Sequence, residues 1–195
     1  MKAVMLSIQP KWVELIASGK KTVEVRKTKP KIDVPFKCYI YCTKGEPLMK
    51  TKGNDCFIDK EHRQGENLYG LYEFLNGKVI GEFVCDWVVD SPIWRLRGNT
   101  GFLAPRTEKE KNLPEMACLS LDELKAYVGS ENKCVCGWHI TDLVIYEQPK
   151  ELSEFRSYNV STYIDEEFGL PMPTHIIKRP PQSYMFVEEL KGETE

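Results

Sequence analysis

The chain lacks the marks of a membrane span, a disulfide-stapled secreted domain or a strongly basic nucleic-acid binder. None of its 195 residues fall in an apolar run of roughly 18, the length a spanning helix needs. The stretch from Met1 to Leu6 is too short and too quickly polar for a secretory signal, so a cytoplasmic location is expected. Seven cysteines, an odd number without framework spacing, read as reduced thiols. Histidine is scarce, with only His62, His139 and His175, and no cysteine-histidine nucleophile pair can be read from them. The spacings Cys38-x-x-x-Cys42 and Cys134-x-Cys136 with His139 miss the two-residue gap of zinc knuckles, so no metal and no other cofactor is expected. Internal repeats are absent, and a net charge of −2 gives the whole molecule no general attraction for nucleic acid.

What is present argues for a real core. At 42% hydrophobic and 29% charged residues, a chain of this length suits one domain with insertions. That domain is expected to span residues 1–190, followed by an acidic tail at 191–195. Its charge is unevenly spread: nine Lys or Arg stand against three Asp or Glu up to Lys37, and 18 against 26 in the remainder. The N-terminal part therefore favours an anionic partner, a description that fits RNA or any phosphorylated ligand.

Residues 2–7 read as a strand. Pro10 suits the start of a helix, Trp12, Leu15 and Ile16 supply its apolar stripe, and Gly19 closes it. The run from Phe36 to Thr43 has strong β propensity, with Cys38, Ile40 and Cys42 on one face and Tyr39, Tyr41 and Thr43 on the other. An irregular insertion follows at 44–76. Asn76-Gly77 then signals a tight hairpin before a long strand at 78–89, in which Gly81 suggests a bulge or bend. A second irregular insertion covers 91–118 and carries Arg95, Arg97 and Arg106. Ser120-Leu121-Asp122-Glu123 forms a capping box for a helix with Leu121, Leu124 and Val128 as its buried stripe, ended by Gly129. A strand at 133–146 broken by Pro149, a single helical turn at 150–156 and a last strand at 183–190 complete the chain. The expected fold is mixed α/β (α+β): a small β-barrel of five to six strands, two main helices and two long loop insertions.

The stretch Gly19-Lys20-Lys21-Thr22-Val23-Glu24-Val25-Arg26 organises this reading. Strand alternation puts Thr22, Glu24 and Arg26 on one side and Lys21, Val23 and Val25 on the other. Spacing alone fits a solvated outer face. In full, Gly19, Lys21, Glu24 and Arg26 match a Gly-x-Lys-x-x-Glu-x-Arg motif set after a helix and before a strand. With the flanks Leu6-Ser7-Ile8-Gln9-Pro10 and Tyr41-Cys42-Thr43-Lys44, the chain resembles the ASCH domain family, a branch of the PUA-like barrel folds. The likeness is tight over the N-terminal part and looser over the later strands, and leaves both insertions outside.

This resemblance implies a cleft beside the first helix that binds RNA or a nucleotide-like ligand. Lys21 and Arg26 suit phosphate oxygens, Arg26 bidentately, while Glu24 can accept from a base amine or hold Arg26 in register. Ser7 and Gln9 in the family's flank, Tyr41 and Trp138 as stacking surfaces and His139 as an acid or base are the further lining candidates. Some relatives are amidohydrolases acting on N4-acetylcytidine and others are described as ribonucleases. The amidohydrolases share Lys21, but they carry threonine where this chain has Glu24 and glutamate where it has Ala117, with Glu115 two residues away. Hydrolysis of RNA or a modified nucleoside is thus the alternative, with Lys21 and Glu24 as catalytic candidates and Glu24 as a general base toward water. A protein-interaction module using the insertions, through Ile93, Trp94, Leu96, Phe102 and Leu103, is the third reading.

Overall fold

Short β-rich runs separated by glycine, proline and charged turns dictate many strands. The computed structural model describes residues 1–46, 49–52, 55–58, 73–94, 102–103, 107–128, 134–158 and 175–190. In chain order the elements are β1 (Lys2–Ile8), α1 (Pro10–Ala17), β2 (Val23–Arg26), β3 (Phe36–Cys42), β4 (Met49–Lys52), β5 (Asp55–Ile58), β6 (Glu73–Phe74), β7 (Val79–Cys85) and β8 (Val88–Trp94). They continue with β9 (Phe102–Leu103), α2 (Glu108–Lys111), α3 (Leu113–Met116), α4 (Leu121–Val128), β10 (Cys134–His139), β11 (Thr141–Lys150), a 3-10 turn at Leu152–Glu154 and β12 (Tyr184–Glu188). The chain divides into two compact units: Met1–Glu14, Phe36–Phe83 and Val144–Glu195 form one, and Leu15–Pro35 with Val84–Leu143 the other.

The first unit is built on a five-stranded sheet of order β11-β7-β3-β1-β12. At its centre β1 and β3 run parallel, with Val4 opposite Cys38 and Ile8 opposite Cys42. A central parallel pair is covered on both faces, so its strands are apolar throughout. That is why Cys38, Ile40 and Cys42 are buried and Tyr39 and Tyr41, on the other face, are buried too. Tyr39 and Tyr41 pack with Ala3, Met5, Val79, Phe155, Ile177 and Val187, and the Tyr39 hydroxyl accepts the Leu190 N–H at 2.8 Å. A smaller sheet of order β5-β4-β6 belongs to the same unit.

The second unit is a sheet of order β2-β10-β8-β9, antiparallel at every pairing. Leu113 of α3, Ala117 just after it and Leu124 of α4 pack on Val23, Val25 and Val135 of β2 and β10. At Gly137 the helix comes so close that a Cβ would lie 2.6 Å from Leu113 Cδ1. The capping box ahead of α4 forms as expected, Ser120 N–H donating to Glu123 Oε2 at 2.8 Å and Glu123 N–H to Ser120 Oγ at 3.2 Å.

Several expectations change. The described strands form three sheets, none of which closes on itself, and number twelve rather than five or six. The mixed α/β class holds, but the described residues show no closed barrel. Part of the 44–76 insertion is the β5-β4-β6 sheet, and the 91–118 insertion holds the end of β8, β9, α2 and α3, so the helices number four rather than two. The 78–89 run is two strands, because β7 and β8 belong to different sheets. Asn76-Gly77 does turn the chain, with Gly77 at φ +87, but β6 and β7 are not paired. Instead the Asn76 side chain clamps a loop, accepting the Met49 N–H and donating to the Gly45 carbonyl, both at 2.7 Å. Gly81 marks a close approach, since a Cβ there would run into the Val144 carbonyl. Pro149 does not break β11, which lies at the edge of its sheet, the place where a strand tolerates proline. Leu121 is exposed, whereas Leu124 is buried in the core. Arg95, Leu96, Arg97, Arg106, Gly129 and the tail at 191–195 lie outside the described residues.

Candidate functional site

Local chain geometry sets up the charged motif of the second unit. Gly19 adopts φ +71, a left-handed value that a glycine reaches without strain. The turn is then held from both sides: Lys21 N–H donates to Leu15 O, Thr22 N–H to Met116 O, and Ile140 N–H to Thr22 O, all at 2.9 Å. Because β2 begins only at Val23, Lys21 is free of strand alternation. Its ammonium therefore reaches the same carboxylate as Arg26, instead of lying on the opposite face.

The three charges form one buried cluster. Glu24 Oε2 lies 3.6 Å from Lys21 Nζ, and Glu24 Oε1 lies 3.1 Å from Arg26 Nη2. Lys21, Glu24 and Arg26 are only 2%, 7% and 5% exposed, which overturns the solvated-face reading. Lys21 also donates to the Ala117 carbonyl at 2.8 Å. Burial pushes the Lys21 ammonium below the ordinary lysine value of 10.5, with the negative charge of Glu24 the largest opposing influence. Two cations thus share one carboxylate in a site largely removed from water. Cys118, at φ +52, follows Ala117 and donates its thiol to the Lys20 carbonyl at 3.3 Å. Where the amidohydrolases are expected to carry glutamate, Ala117 presents a backbone carbonyl to the lysine, and Glu115 is exposed.

The other candidates are placed as follows. Trp138 stands opposite Glu24 in the ladder and is fully buried at the centre of its sheet, so it offers no stacking face. Tyr41, in the first unit, is likewise buried against the core. Also in the first unit, Ser7 donates its hydroxyl to Pro181 O at 2.6 Å, and the backbone carbonyl of exposed Gln9 accepts the Trp12 and Val13 N–H groups at the start of α1. His139 closes β10, with Nδ1 2.6 Å from Asp86 Oδ1 and its ring stacked on Trp87 at 4.4 Å. Lys109 Nζ lies 4.4 Å from the Trp87 ring centroid. Cys136 donates its thiol to Asp90 at 2.9 Å, and no three metal-ligating side chains cluster among the described residues.

Sequence reasoning missed Tyr127, in the last turn of α4. Its ring has Lys27 Nζ 5.2 Å from the centroid. Burial raises its phenol above the ordinary tyrosine value, the next contributions coming from Arg26, which lowers it, and Glu24, which raises it. Its spacing of three from Leu124 was the available signal.

Residues 6–88 match the family model of the ASCH domain, which shows the resemblance carried by the motif. Among solved structures, a point mutant of the ASCH protein from Zymomonas mobilis is similar in fold, with a TM-score of 0.50 at 18% identity over 97% of this chain and 92% of that one. A second crystal structure of ASCH from Zymomonas mobilis gives a TM-score of 0.48 at 20% identity over 98% and 89%. No curated protein matches the chain in sequence. Among the described residues no helix is long and apolar enough to cross a membrane.

Proposed function

We propose that this chain, with its ASCH domain match over residues 6–88, binds RNA or a nucleotide-like ligand through Lys21, Glu24 and Arg26. The reading treats residues 1–190 as one ASCH-type, PUA-like domain. The observation that carries it is the buried cluster of two cations sharing one carboxylate. In a site of reduced dielectric, an entering phosphate or base edge interacts more strongly with such groups than at an open surface. Arg26 supplies the planar fork that suits a phosphate, Lys21 a point charge, and Glu24 an acceptor for an exocyclic amine. The excess of basic residues up to Lys37 favours the encounter. The match to the ASCH domain over residues 6–88 points the same way, since that domain is itself proposed to bind RNA.

Hydrolysis of RNA or a modified nucleoside is the second reading, favoured by one observation. A lysine pushed down by burial holds part of its population as a neutral amine nearer to neutral pH, where it can accept a proton.

The test is fluorescence anisotropy with a short single-stranded RNA and with nucleoside monophosphates as competitors, product release being followed in the same samples. Arg26→Lys keeps the charge and removes the fork; it should weaken binding by about fivefold or more. Lys21→Met should weaken it as well. Turnover lost with Lys21→Met while affinity survives would move the conclusion to the enzyme, and unchanged binding in both folded variants would overturn the site.

A further inference from the structure

Stacking is the second half of single-stranded nucleic-acid recognition, and the structure withdraws both aromatics expected to supply it. Trp138 and Tyr41 are buried in their respective cores. Tyr127, by contrast, is an exposed aromatic, at 39%. It rides on α4, whose Leu124 packs with Val23 and Val25 of the strand that carries Glu24 and Arg26. Exposed Lys27, the residue after Arg26, holds its ammonium 5.2 Å from the ring centroid. An aromatic face and an exposed cation therefore lie together at the end of β2, the strand of the charged cluster, within the electrostatic reach of Arg26 and Glu24.

We infer that Tyr127 is the base-stacking platform of this site, and that Lys27 takes the phosphate of the nucleotide whose base lies on the ring. This rests on the nucleotide-binding reading and adds to it a contact that the charged motif alone does not contain. The chemistry is general: every nucleobase presents a π face, and stacking on tyrosine tolerates any sequence. A cation already drawn to the ring's electron-rich face is placed to follow the base's own phosphate. The shift of the Tyr127 phenol, raised first by burial and touched by Arg26 and Glu24, agrees with a ring standing between solvent and the charged cluster.

The experiment compares wild type with Tyr127→Phe, Tyr127→Leu and Lys27→Gln. Each is titrated with a short single-stranded RNA, an abasic oligonucleotide of equal length and nucleoside monophosphates, with thermal melting confirming the fold. Tyr127→Phe should bind as wild type does, whereas Tyr127→Leu should lose about five- to a hundredfold in affinity for the RNA. For the abasic strand Tyr127→Leu should lose nothing. Lys27→Gln should weaken both strands and flatten the salt dependence by about one phosphate contact. Competition by monophosphates assigns the platform to a single nucleotide, and binding of the strand alone assigns it to RNA; either supports the stack. Equal RNA affinity in wild type and Tyr127→Leu, or equal losses for RNA and abasic strand, overturns the platform while leaving the charged site standing. Should wild type bind none of these probes, the nucleotide reading itself fails, and the platform with it.

Discussion

Lys21 carries the clearest consequence at the level of a single residue. Its folded value lies below the unfolded 10.5, because burial disfavours the ammonium more than Glu24 favours it. Below the folded value both states hold the proton, so the cost of burying the charge is present in full. Between the folded value and 10.5 the unfolded chain holds a proton that the folded chain has released, and stability from this group rises with pH. Lys21→Met removes the effect. Wild type should therefore gain on the variant as pH climbs toward 10, by at most about 1.4 kcal/mol for each unit of that window. Urea unfolding at several pH values reads this directly, and a difference that stays constant with pH sinks the argument.

The same residue marks how far sequence reasoning reached. The motif Gly19, Lys21, Glu24 and Arg26 identifies the right charges, but alternation assigns Lys21 to the wrong face because it treats a turn residue as part of the strand. Burial was not legible either, since the groups that cover the cluster, such as the Ala117 carbonyl, come from a helix 96 positions away in sequence. Trp138 is expected as a stacking surface, yet it is fully buried on β10, an interior strand of its sheet. Tyr127 went unnoticed because only tertiary packing reveals which positions of an amphipathic helix stay open.

At the level of elements, locally determined features were legible and pairings were not. The Gly19 turn and the Ser120 capping box depend on four or five consecutive residues, and both form. Three separate sheets depend on contacts between distant segments, which no local pattern specifies. The two strand glycines illustrate the difference and can be separated by experiment. At Gly137 an added Cβ would meet side-chain rather than backbone atoms, of Leu113, Val23 and Val89 at 2.6, 3.0 and 3.2 Å, and the nearest, Leu113 Cδ1, is the end of a side chain that can turn. Gly137→Ala should cost about 1–3 kcal/mol, as an overpacked core does. At Gly81 the obstacle is the Val144 backbone carbonyl in the neighbouring strand, which moves only if the sheet moves. Gly81→Ala should therefore be the more destabilising of the two when both are measured by denaturant midpoint; the reverse order would mean that β7 and β11 separate more readily than α3 yields at β10.

For the molecule as a whole, charge limits the kind of binding it can show. A chain of net −2, with 18 basic against 26 acidic residues after Lys37, repels a polyanion over most of its length. Attraction is left to the N-terminal part and, on the present proposal, to Lys21, Arg26 and Lys27. Each phosphate neutralised on a single strand contributes about −0.7 to the slope of log K against log salt. Three cations then predict a slope of about −2 at most, and affinity that survives moderate salt because part of it comes from stacking, which salt does not screen. A titration series across salt concentrations checks both points at once. Slopes much steeper than −2 would require a long basic track and move the interface away from the cluster. A slope near zero with affinity intact would leave stacking and hydrogen bonding as the source of binding and favour a neutral nucleoside, making the Glu24 carboxylate, as acceptor for a base amine, the residue to test next.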